Sequence, residues 1–119
     1  MFKELLQKIV DGCEGGLAGL LMGFDGIAVE SYTSESAEND IQSVGMEFSV
    51  ILTQARNAVD LIGGGALREV AFKSEKMTVL VRLLNDDYFL ALALAPEGNY
   101  GKGRFLLRST APSILAELT

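Results

Sequence analysis

Residues 17–33 read LAGLLMGFDGIAVESYT. Two apolar runs flank Asp25-Gly26, and that pair tolerates the positive φ that a tight two-residue turn demands at both central positions. The stretch reads as a β-hairpin with a type I′ turn, its first strand over 17–24 and its second over 27–33. Upstream, Phe2, Leu5, Leu6, Ile9 and Val10 recur at helical spacing, which predicts an amphipathic helix over 2–12 ended by Gly12 and Gly15-Gly16.

Downstream the apolar period returns to helical. Ile41, Val44, Phe48, Leu52, Ala55, Val59 and Ile62 make one stripe, predicting a long helix over 37–62 with that stripe against the core. Ser36 is placed to cap it, Glu35, Glu38 and Asp40 put negative charge at its positive end, and Gly63-Gly64-Gly65 stop it. Three strands follow, over 66–74, 77–84 and 88–95. In the last, Leu90, Leu92 and Leu94 occupy one face and Ala91, Ala93 and Ala95 the other, the mark of a central strand covered on both sides. Residues 104–118 read as a final helix with Leu107, Ala111, Leu115 and Leu118 on one face. Pro112 in its middle removes one backbone hydrogen bond. The order α-β-β-α-β-β-β-α predicts an α+β fold, an α/β sandwich in which helices cover the faces of one five-stranded antiparallel sheet. With 119 residues and no linker, repeat or low-complexity stretch, the expectation is a single domain over 1–119.

Composition narrows the function. Acidic residues outnumber basic ones 16 to 10, for a formal charge of −6. That balance disfavours nucleic acid and anionic membrane surfaces, both of which require a basic face. Without a histidine, the commonest metal ligand and the commonest general base are missing. The lone cysteine, Cys13, reads as a small buried hydrophobe in a reducing compartment. No run approaches the ~20 apolar residues of a membrane span, and the N-terminus lacks the pattern of a signal peptide. The expected location is the cytoplasm.

No catalytic constellation emerges. The serines have no histidine to activate them, and neither GxSxG nor a catalytic lysine motif occurs. Asp86-Asp87 sit in a predicted turn, where aspartate serves local backbone hydrogen bonding. Gly63 to Gly65 follow a helix, the wrong order for a phosphate cradle. Gly101-Lys102-Gly103 do precede one, but lack the spacing of a phosphate-binding loop. Neither a metal nor a cofactor is expected, and the chain does not read as an enzyme.

The back of the long helix carries more information. Ser43, Met46, Val50, Thr53, Asn57 and Leu61 lie opposite the core stripe and include no charge, whereas a solvated helix face is normally charged. Glu47 and Gln54 border this stripe on one side, Arg56 and Asp60 on the other. A helix patterned for packing on both faces predicts a protein interface, most simply a homodimer. Strand 66–74, with Val70 and Phe72 on one side, can join that interface as an unpaired sheet edge.

The first helix, then LLMGFDGIAVES (20–31), the long amphipathic helix and the run from Leu67 to Arg108 together resemble the roadblock/dynein light chain family, across nearly the whole chain. The resemblance implies a profilin-like roadblock fold and a homodimer with long helices side by side and third strands paired. It implies a noncatalytic adaptor or regulator for a Ras-like small GTPase, like the bacterial MglB and MglC types that act on the polarity and gliding GTPase MglA. In that frame Ser43, Met46, Val50, Thr53, Asn57, Leu61, Val70 and Phe72 form the dimer interface. Glu47, Gln54, Arg56 and Asp60 are then the partner-binding residues. Two alternatives stay open: GTPase activation, with Arg56 acting electrostatically, and a small-molecule sensor holding a ligand between sheet and helix.

Overall fold

The computed structural model describes residues 1–35 and 40–118. They form α1 (Phe2–Asp11), β1 (Gly16–Gly23), β2 (Ala28–Thr33), α2 (Ile41–Leu61), β3 (Glu69–Lys73), β4 (Thr78–Leu83), β5 (Tyr88–Leu94) and α3 (Tyr100–Leu118), in the order the sequence predicts. The strands make one antiparallel sheet ordered β2-β1-β5-β4-β3. β5, apolar on both faces, is its centre, as its leucine–alanine alternation requires.

That alternation also sorts the layers. Leu90, Leu92 and Leu94, with Leu21 and Leu80, face α1 and α3, packing on Leu6, Ile9, Val10, Leu107 and Ile114. Ala91 and Ala93, with Ala18, Leu20, Met22, Val79 and Val81, face α2. Beyond Phe89, the α2 side of β5 is thus lined by the methyl groups of Ala91 and Ala93, which lets a helix lie close. α2 meets it with small residues of its own: Gly45 and Ser49 are buried beside Ile41 and Leu52. A Cβ on Gly45 would collide with the Leu20 side chain and stand 3.0 Å from Met22 Sδ. The centre of the buried stripe is therefore turned toward Gly45 and Ser49. Val44, Phe48, Ala55 and Val59 are half-buried at its border. Ile62, expected in the core, is 82% exposed, because it follows the last helical residue as the chain leaves the sheet.

Other expectations need correction. The β1–β2 turn is not type I′. Among the described residues none except glycine has positive φ, so in this turn Asp25 has negative φ and only Gly26 (φ +86°) is left-handed. The Gly26 N–H donates to Gly23 O (2.9 Å) and the Gly23 N–H to Ile27 O (3.0 Å), the three-residue loop that pairs a type I turn with a left-handed glycine. Asp25 Oδ1 accepts from the Ile27 N–H at 3.0 Å, a local bond that competes with the primed geometry. α2 begins at Ile41, capped by Asp40, whose Oδ1 accepts from the Ser43 N–H (3.3 Å). Ser36, Glu38 and the predicted start at 37 lie outside the described residues. α3 begins four residues before the predicted 104, since Asn99 Oδ1 accepts from the Lys102 N–H (3.0 Å) and caps it. Gly101-Lys102-Gly103 are thus the first turn of a helix and not a loop ahead of one. Gly103 is buried because a Cβ there would press at 3.1 Å on both Leu80 and Leu92. Ile114, not Leu115, is the fully buried residue of the last turns of α3.

Candidate functional site

α2 covers one face of the sheet and leaves its own outer face open. Met46 is 56% exposed, Val50 58% and Leu61 88%, and Asn57, Glu47 and Gln54 are also exposed. These large apolar side chains are spaced along one exposed face of the helix. Two members of the predicted stripe serve the helix itself. Ser43 donates its hydroxyl to Asp40 Oδ2 (2.7 Å), completing the cap. Half-buried Thr53 donates to Ser49 O (2.9 Å).

The apolar surface is wider than the stripe. Ile51, beside Val50, is 43% exposed, and Ile27, at the foot of the β1–β2 turn, is 67% exposed. That turn lies beneath α2, since a Cβ on Gly26 would meet Met46 Cγ at 4.0 Å. Ile51 carried a usable signal, because the helical wheel sets it next to the uncharged stripe. Ile27 carried none, as it reads as an ordinary strand residue until the turn is placed against the helix.

The third strand is at the sheet edge, where half its backbone groups lack a ladder partner. Its alternation, however, turns Val70 and Phe72 inward beneath α2, and the Phe72 ring lies 4.6 Å from that of Phe48. What the edge presents toward the α3 side is Glu69, Ala71 and Lys73. Glu69 accepts from Arg104 through Nη2 at 2.7 Å and Nε at 2.9 Å.

The Arg56 side chain is engaged within the chain. Its guanidinium lies 3.9 Å above the centroid of Phe24 and donates to Asp86 O at 3.0 Å, tying α2 to the β1–β2 and β4–β5 turns. Beside it a shallow groove of ≈ 690 Å³ is lined by Asp60, Leu67, Arg68, Arg82, Leu84 and others. Arg56 and Asp60 line that groove together with Asn57, so it adjoins the open face of α2.

Of the groups read for chemistry, Cys13 is buried, and its thiol donates to Asn99 O at 3.3 Å. Desolvation raises its pKa, with Lys102 pulling it down and Glu14 pushing it up. The Tyr32 hydroxyl donates to the Asp11 carboxylate at 3.0 and 3.2 Å, a bond that is the main cause of its raised pKa. Among the described residues no group of three His, Cys, Asp or Glu side chains is set to hold a metal ion, and no helix is long and apolar enough to cross a membrane.

No protein-family profile and no curated relative matches the chain, but solved structures do. It is similar to MglC from Myxococcus xanthus, with 45% identity over 98% of both chains and a TM-score of 0.72. It is similar to a Roadblock/LC7 domain from Streptomyces avermitilis at 16% identity, covering 98% of this chain and 96% of that one, with a TM-score of 0.87. The gliding protein MglB from Thermus thermophilus matches at 15% identity, covering 91% of this chain and 81% of that one, with a TM-score of 0.81. The MglC identity carries descent, and the two high TM-scores at low identity carry the fold.

Proposed function

From membership of the roadblock family, to which this chain belongs as an MglB/MglC-like member, we propose that it is a noncatalytic, cytoplasmic adaptor. In this reading the chain is a single roadblock-type domain over 1–119. It pairs with itself and regulates a Ras-like small GTPase of a polarity or gliding system by protein–protein binding.

The observation that carries this reading is the open face of α2: Met46, Val50 and Leu61 stand in solvent along a helix whose opposite face is already buried. A second copy of the same face is the simplest cover, because a two-fold axis makes one apolar patch its own complement. Gln54 and Glu47 then rim the patch, and the β3 edge is free to extend the pairing. Activation of GTP hydrolysis through Arg56 is the weaker reading, since that side chain is already occupied by Phe24 and Asp86.

Two measurements test the proposal. Sedimentation velocity at tens of micromolar should give a dimer for the native chain and a monomer for Val50→Asp, with circular dichroism unchanged because Val50 is exposed. A native chain that sediments as a monomer rejects self-pairing. Capture from native extract with GTP analogue and GDP in parallel should enrich a Ras-like GTPase, directly or through another roadblock protein. Recovery of neither rejects the GTPase assignment.

A further inference from the structure

We propose that the side of the molecule opposite α2, where the first half of α3 meets β3, is a second docking surface that takes a short acidic segment of a partner protein anchored by an apolar side chain.

The charge of the chain is unevenly placed. Residues 1–65 hold ten acidic side chains against three basic, and residues 66–119 hold six against seven. Five of those seven cations form a chain of neighbours. Arg104 and Arg82 share the one carboxylate of Glu69, at 2.7 and 3.9 Å. Lys73 Nζ lies 4.1 Å from the centroid of the Tyr100 ring, and the Arg104 guanidinium lies 5.9 Å from it. Lys102 Nζ lies 5.6 Å from the Phe105 ring, and Arg108 follows one turn on. Among the described residues Lys73, Lys102 and Arg108 have no carboxylate within ion-pair distance, so Glu69 pairs with two of the five cations and three are left without an ion pair. In a chain of net charge −6, that is a local surplus and not a general property.

Phe105 stands among these cations at 49% exposure. An exposed aromatic ring with cations at its border supplies contact area at the centre of a docking site, while the cations at the rim select the partner's sign. The same placement selects a short segment over a polyanion. At physiological salt, charges beyond about 8 Å are screened, so a short peptide feels only the patch. A nucleic acid or an anionic bilayer is extended enough to meet the acidic remainder of the molecule. The surface lies on the other face of the sheet from the open face of α2 and meets the self-pairing region only along the edge of β3, because α2 and α3 pack on opposite sides of the sheet.

The test is an amide chemical-shift titration of the isotope-labelled full chain with a synthetic peptide of alternating glutamate and leucine around one central phenylalanine. A deoxythymidine oligonucleotide and phosphatidylserine vesicles are run in parallel. The expected result is peptide-induced shifts confined to 69–73 and 100–109. Affinity should fall about tenfold in Lys102→Glu/Arg108→Glu and by a comparable factor in Phe105→Ser. All three side chains are exposed, so these variants should fold as the native chain does. The Val50→Asp variant should bind the peptide as the native chain does, which separates this surface from the dimer proposal. Absence of shifts, shifts on α2 instead, unchanged affinity in the substituted chains, or binding of the oligonucleotide or vesicles without the peptide each overturns it. Loss of self-association in the charge-reversed variant would make a second copy the occupant, and would overturn it too.

Discussion

At the scale of single residues, the fold depends on positions whose environment tolerates no neighbour. Gly15 has φ +83°, and a Cβ on it would lie 2.5 Å from the Gly98 Cα, so conformation and space both exclude a side chain. Gly15→Ala should destabilise the chain by about 1–3 kcal/mol in urea unfolding. Asp40 and Cys13 respond to pH with opposite signs. The Ser43 hydroxyl, then its amide, hold the Asp40 carboxyl below its ordinary range. The cap's contribution is therefore present above the unfolded carboxylate's pKa and lost as pH falls through the lowered value. Asp40→Ala should lower the melting temperature at neutral pH and have little effect once the native carboxyl is protonated. Burial raises the Cys13 thiol, so folding favours its neutral form below the unfolded thiol's range, and that contribution is lost as pH rises through the raised value. Cys13 should react slowly with an aromatic disulfide reagent in the native chain at neutral pH and rapidly in denaturant.

At the scale of elements, α2 holds apolar side chains in two different situations. Leu52 is fully buried between helix and sheet, and Ile62 is 82% exposed just beyond the helix end. Leu52→Ala should cost about 2–5 kcal/mol in thermal or chemical unfolding. Ile62→Ser should change stability by less than ~0.5 kcal/mol. Comparable losses at both positions would mean that Ile62 is covered in solution. Periodicity alone put the two residues on one stripe. It identifies a face of the helix but not where the helix leaves the sheet, and it cannot see that Gly45 and Ser49, neither of them apolar, occupy the closest approach. The strand edge teaches the same point: Val70 and Phe72 were readable as one side of β3, but only packing against Phe48 decides that this side is the inner one.

At the scale of the whole molecule, the two proposed surfaces should differ in their response to salt. Each copy carries a formal charge of −6, so self-pairing brings like charges together. Raising salt screens that repulsion and should tighten the dimer in sedimentation equilibrium. Docking of an acidic segment on Lys102 and Arg108 joins unlike charges, and the same salt should weaken it in the peptide titration. A shared sign would argue that both events use one surface.

The sequence by itself determined the order of elements, the central position of β5, the uncharged outer stripe of α2 and the family resemblance. All of these follow from periods of 2 and 3.6 residues and from the placement of charge, which are local properties of the chain. Only the tertiary structure decided the handedness of Asp25, the inward turn of Arg56 and of Phe72, the extension of the apolar face to Ile27, and the cationic neighbourhood around Glu69 and Phe105. Each of these depends on groups distant in the chain meeting in space. Arg56 reaches Phe24 and Asp86, and Glu69 reaches Arg104, only after the sheet has been ordered.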